Sequence, residues 1–166
     1  MNEINNTNAY LRNLKIKELN DMQLATIAAA GTHHDMILLS NTGSGKTLAF
    51  LLPMLATLKA DINLAQALIL VPSRELALQI EAVLKQMQTG FKVLACYGGH
   101  KREIEENSLI EPPAIIIATA GRMTDHIRRK NIDLSEIQYL ILDEFDKSLE
   151  LGFWKKCSLL LKHCLQ

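Results

Sequence analysis

Thr42-Gly43-Ser44-Gly45-Lys46-Thr47 has the residue types that can hold a polyphosphate. The glycines let the backbone curl around an anion with its N–H groups turned inward. Lys46 is long enough to reach β- and γ-phosphates, and the Thr47 hydroxyl suits Mg²⁺. An apolar run, Met36 to Leu39, precedes the loop, and an apolar-periodic segment, Leu48 to Leu58, follows it. A strand and a helix therefore frame the turn, and the positive end of that helix adds to the attraction. Ser40 stands where the usual pattern carries Gly or Ala, a mild departure because Ser is small.

A second chemical pair, Asp143-Glu144, closes the apolar run Tyr139-Leu140-Ile141-Leu142. Carboxylates at the C-terminal tip of a buried strand are the other half of a nucleotide-hydrolysing site. Asp143 would hold Mg²⁺ through water, and Glu144 would orient and deprotonate the attacking water. Asp is also a good helix N-cap, so the pair draws its meaning from the loop at 42–47.

Strands and helices must position these groups, and the apolar pattern provides them. A helix is expected over 20–30, capped by Asn20 or Asp21 and ended by Gly31. Strands are expected at 36–39, 67–71, 91–96, 114–118 and 137–142. Further helices are expected at 46–59, 121–130 and 147–164, with Thr119 as the cap of the second. Another starts at Ser73 as N-cap, with Leu76, Ile80, Val83, Leu84 and Met87 as its apolar face. Gly98-Gly99 turns the chain, residues 100–108 are polar and charged, and Glu111-Pro112-Pro113 is a break. Apolar, non-alternating strands separated by helices imply an α/β fold, a parallel sheet with helices on both faces. The site belongs beyond the carboxyl ends of the strands.

At 166 residues and 48% hydrophobic content the chain is long enough for one domain with a real core. Eighteen basic and eighteen acidic residues cancel, so the composition argues against a general polyanion-binding surface. Any nucleic-acid contact must come from local geometry. No apolar run reaches membrane-spanning length, and the polar start Met-Asn-Glu-Ile is no signal peptide. Cys96, Cys157 and Cys164 are too few and too widely spaced for a disulfide framework or a zinc site. The five histidines form no ligand pattern. A cytoplasmic location is expected.

Gln23, the loop at 43–47, Pro72-Ser73-Arg74-Glu75-Leu76-Ala77, Gly98-Gly99, Thr119-Ala120-Gly121-Arg122 and Asp143-Glu144-Phe145-Asp146 follow one another along the chain. In that order they resemble the motifs of the DEAD-box ATP-dependent RNA helicases. The chain looks like the first, N-terminal RecA-like domain of such an enzyme over residues 15–166, with 1–14 as an N-terminal tail. The resemblance implies a RecA-like P-loop fold that binds ATP and Mg²⁺. It further implies a grip on single-stranded or duplex RNA, with ATP hydrolysis coupled to local unwinding. An ATP-gated RNA clamp or scaffold with little turnover is the alternative.

The same resemblance implies roles. Lys46, Asp143 and Glu144 would be catalytic. Gln23, Thr42, Gly43, Ser44, Gly45, Lys46 and Thr47 would hold the nucleotide, with the Gln23 carboxamide matching the donor and acceptor of the adenine edge. Thr47 and Asp143 would hold the metal. Pro72, Ser73, Arg74, Gly98, Gly99, Thr119, Gly121 and Arg122 would grip RNA phosphates, which helix N-termini and backbone N–H groups do without reading bases. This chain departs from the family at Leu19-Asn20 (usually Pro-Thr), Ser73 (Thr), Ala120 (Pro) and Phe145 (Ala). Phe145 is far bulkier than Ala and needs a roomier pocket. The family's Ser-Ala-Thr segment and second RecA-like domain would lie beyond Gln166, so this stretch alone is expected to show little ATPase and no unwinding.

Overall fold

The computed structural model describes residues 2–41, 43–99 and 102–150. Its contacts divide into two units, Met1–Leu58 with Gln86–Thr89, and Lys59–Lys85 with Gly90–Gln166.

The first unit is helical. Residues expected as a tail form α1 (Asn2–Asn13), with Tyr10 and Leu11 buried. The segment contains no Gly or Pro, but its apolar residues are too sparse to reveal a period. Its end is pinned: Asn13 Nδ2 donates to the Met87 carbonyl at 2.9 Å, and Gln86 Nε2 donates to the Asn13 carbonyl at 3.2 Å. Helix α2 (Asp21–Ala30) begins at Asn20 with a full capping box and ends at Gly31, as its flanking residues predict. It packs against α3 (Lys46–Thr57), which buries Leu48, Ala49, Leu51, Leu52, Met54 and Leu55.

The strand expected at 36–39 is a correction. Among the described residues no strand pairs with this run, and Ile37 and Leu39 are 89% and 87% exposed. An apolar run can extend by itself, but a strand needs a neighbour's backbone, and local pattern does not show whether one is there.

The second unit holds the sheet. Strand β1 (Ala67–Val71) is followed by α4 (Arg74–Met87), β2 (Val93–Cys96), α5 (Arg102–Leu109) and β3 (Ile115–Thr119). Helix α6 (Ala120–Arg128), β4 (Tyr139–Leu142) and α7 (Phe145–Glu150) complete the described order. The four strands run parallel in the order β2-β3-β1-β4. Strand β1 is buried at every position and β3 at all but its last, so both faces of the sheet are covered there. Beneath lies a core of Leu68, Leu70, Cys96, Ile116, Ala118 and Met123. Helix α5 largely overlaps the stretch expected only to be polar and charged; its inward residue, Glu105, is itself an acid. The helix expected over 147–164 is described as far as Glu150. Its remainder, with Cys157 and Cys164, lies outside the described residues.

The register matters for function. Val71 pairs with Thr119, Leu70 with Leu142, and Cys96 with Ala118. All four strands thus end at one rim, and the motif segments after 71, 96, 119 and 142 emerge there together.

Candidate active site

In the first unit the Gly-rich loop at 43–47, expected to hold phosphate, is tied to the start of α2. Asn20 Oδ1 accepts from the Gln23 N–H at 2.9 Å, and Gln23 Oε1 accepts from the Asn20 N–H at 3.0 Å. The two side chains then reach the loop. Asn20 Nδ2 donates to the Ser44 carbonyl and Gln23 Nε2 to the Gly45 carbonyl, each at 3.0 Å. Gly45 has φ +87° and directly precedes α3, so the turn needs a residue at ease in left-handed backbone. Lys46 Nζ donates to the carbonyls of Ser40 at 2.7 Å and Asn41 at 2.8 Å, so its ammonium folds over the loop. Ser40 Oγ donates to Ser44 Oγ, a clasp that the usual Gly or Ala could not make. Thr47 is half-buried in the first turn of α3. Thr42 lies outside the described residues.

In the second unit Asp143 and Glu144 follow β4 directly. The Asp143 N–H donates to the Leu70 carbonyl at 3.0 Å, which extends the ladder by one bond. Asp143 Oδ1 accepts from the Glu144 N–H at 3.0 Å. Glu144 takes φ +47°, a conformation that costs a non-glycine residue about 1–3 kcal/mol and concentrates at functional sites. Its Oε2 accepts from Lys147 Nζ at 2.7 Å, a bond that raises the Lys147 pKa above its ordinary value. Phe145 packs half-buried against the core cluster, alongside Leu140 and Leu142. The bulk that departs from Ala is therefore used as packing.

The rim of the same unit carries a groove of about 450 Å³ lined by Pro72, Arg74, Gly98, Thr119, Gly121, Arg122 and Asp125. All but Asp125 were expected from the sequence. Ser73 caps α4, its Oγ accepting from the Leu76 N–H at 3.2 Å. Hydrogen bonds from its own N–H and from the Ser73 hydroxyl hold the Glu75 carboxyl below its ordinary pKa. Arg74 lies over the Tyr97 ring, 5.0 Å from its centroid. Gly99, at φ +85°, passes close to Arg74. Thr119 occupies the N-cap of α6 but its side chain makes no capping bond, unlike the expectation. Arg122 Nε donates to the Tyr97 carbonyl at 3.0 Å.

The family model described as DEAD/DEAH box helicase matches residues 20–166. The chain belongs to that family. This DEAD/DEAH box chain is 42% identical over 122 residues to the ATP-dependent RNA helicase DeaD of Buchnera aphidicola subsp. Baizongia pistaciae, covering 72% of itself and 20% of that protein. It is 41% identical over 123 residues to the Escherichia coli K12 protein of the same name, covering 72% of itself and 19% of that protein. The chain thus spans about a fifth of the length of these curated relatives. The fold is similar to the RNA helicase Prp28 from Chaetomium thermophilum bound to ADP, with TM-score 0.84 and 36% identity over 92% of this chain and 39% of that one. The yeast DEAD-box splicing factor Prp28 gives TM-score 0.83 at 28% identity over 93% and 38% of the two chains. The second unit of the DEAD/DEAH box chain thus has the RecA-like parallel sheet its motifs imply. Tyr97, Glu105, Asp125 and His126 also lie in or beside the groove, outside the recognised motifs. None has a local signal, because each takes its place only when separate segments meet at the rim.

Proposed function

We propose that this chain is the ATP-binding part of an ATP-dependent RNA helicase, with RNA held along the rim of the sheet. The groove is the observation that carries this reading. Three separate segments, 72–74, 98–99 and 119–122, bring glycines, the start of α4 and two arginines to one place. Such a surface suits a phosphate backbone and is indifferent to bases.

The loop supplies the nucleotide half of the reading. Lys46 is the γ-phosphate ligand, and a bound nucleotide would take its ammonium from the carbonyls of Ser40 and Asn41. Gln23 retains one amide N–H and one carbonyl lone pair beyond its two protein bonds, which suffices for the adenine edge. Thr47 offers a hydroxyl and Asp143 a carboxylate, both hard oxygen donors that fit Mg²⁺. The ion would supply charge neutralisation on the phosphates. Glu144 is the residue to orient and deprotonate water, with its Oε2 held by Lys147. A second RecA-like domain of the parent, and a cytoplasmic site of action, belong to the same reading.

Calorimetric binding of ADP and GDP with Mg²⁺ tests it. ADP binding that Lys46→Ala weakens at least about tenfold, with no GDP binding, is the expected result. Equal binding of both nucleotides would remove adenine selection, and binding of neither would sink the nucleotide site.

A further inference from the structure

Glu105 is fully buried on α5, while Glu103 on the same helix is exposed. The motif-based roles make no use of it. Its carboxylate meets donors from both neighbouring segments. Oε1 accepts from the Tyr97 N–H at 3.3 Å. Oε2 accepts from His126 Nε2 at 2.8 Å and faces Arg122 Nε at 3.4 Å. His126 is fully buried too, and its Nδ1 faces Asn131 Nδ2 at 3.4 Å. That pattern fits a ring donating from Nε2 and accepting at Nδ1. Arg122 Nε reaches the Tyr97 carbonyl as well, so one carboxylate joins the end of β2, α5 and α6. Tyr97 in turn carries Arg74 on its ring and leads into Gly98.

Cys96 completes a buried trio with Glu105 and His126 whose ligand atoms lie within 4.8 Å of one another. A divalent cation there would face the Arg122 guanidinium and require a thiolate. With no metal bound, burial and the Glu105 charge hold Cys96 as a neutral thiol, and Arg122 meets the carboxylate's charge.

We propose that Glu105 is a positioning residue for the RNA grip: it fixes Arg122 and the Tyr97–Gly98 backbone, and His126 fixes Glu105. The proposal rests on the groove being the RNA site. Charge-assisted bonds in a dry setting impose a defined geometry, and removing one partner strands the others.

The test is a double-mutant cycle on binding of a fluorescent single-stranded uridine decamer by the full natural chain, with thermal unfolding followed in parallel. Arg122→Ala is expected to weaken binding roughly tenfold, the size of one charge-assisted contact. Glu105→Gln is expected to weaken it about fivefold, and to add almost nothing in the Arg122→Ala background. His126→Gln, whose amide can donate from near the place of Nε2, keeps wild-type binding, while His126→Ala falls to the level of Glu105→Gln. These two variants also carry the test if Glu105→Gln does not fold. Additive losses for Glu105→Gln and Arg122→Ala, or unchanged binding in a folded Glu105→Gln or His126→Ala, overturn the proposal and leave the groove reading standing. One equivalent of zinc retained by the wild type and lost in Cys96→Ser also overturns it, in favour of a metal centre. No binding by the wild type, or unchanged binding in both Arg74→Ala and Arg122→Ala, overturns the groove reading and this proposal together.

Discussion

Gln23 donates from Nε2 to the carbonyl of Gly45 at 3.0 Å, so the residue proposed to read adenine also holds the phosphate loop. Removing it therefore acts on two parts of one ligand. Gln23→Ala is expected to weaken ADP about tenfold and to weaken tripolyphosphate about twofold to threefold, through loss of the tether. Calorimetry with both ligands separates the effects. Unchanged tripolyphosphate affinity would mean that Gln23 serves the base alone.

Gly45 and Gly43 make a matched pair for backbone strain. A Cβ at Gly45 would lie 2.5 Å from Gln23 Nε2, whereas one at Gly43 would meet nothing within 4 Å. Both residues have positive φ. Gly43→Ala is expected to cost about 1 kcal/mol from backbone alone, and Gly45→Ala about 2–3 kcal/mol with weaker nucleotide binding. Urea unfolding of the two variants checks the order. Equal losses would show that the Gln23 contact yields without cost.

Phe145 takes the place of the family's Ala and packs on the core. Phe145→Ala is expected to destabilise the second unit by about 1–3 kcal/mol, below the loss for a fully buried Phe because the ring is half-buried. ADP affinity should stay within about twofold of wild type, a change of less than 0.5 kcal/mol. A gain in thermal stability instead would mean that the ring is a misfit.

Burial, with the Glu105 charge beside it, pushes the Cys96 thiol from 9.0 up to about 12. The neutral form is favoured in the fold, so the unfolded chain ionises first. Stability is therefore unaffected below pH 9.0 and falls as pH rises from there towards about 12. Cys96→Ala should remove part of that alkaline loss in a pH series of unfolding curves. In a Cys157→Ser, Cys164→Ser background, Cys96 should resist iodoacetamide until the protein unfolds.

The strands were readable wherever they are buried on both faces. The runs at 67–71 and 114–118 are almost wholly apolar and have little other use than a covered sheet. Segment order at the rim followed, because parallel strands release their motifs at one end. Helix α5 was not readable, since its buried face is Glu105 and a charged residue gives no hydrophobic signal. The Glu105–His126 pair spans 21 residues and the Gln23–Gly45 bond 22. Nothing local predicts either. Residues 36–39 fail for the opposite reason: the local pattern was strong, but pairing depends on a distant backbone.

That unpaired run bears on how the protein behaves at high concentration. Met36, Ile37 and Leu39 present apolar side chains to water in a segment with no strand partner among the described residues. Exposed apolar runs of this kind favour association. Samples should scatter more light as concentration rises, and a lysine in place of Ile37 should keep them clear.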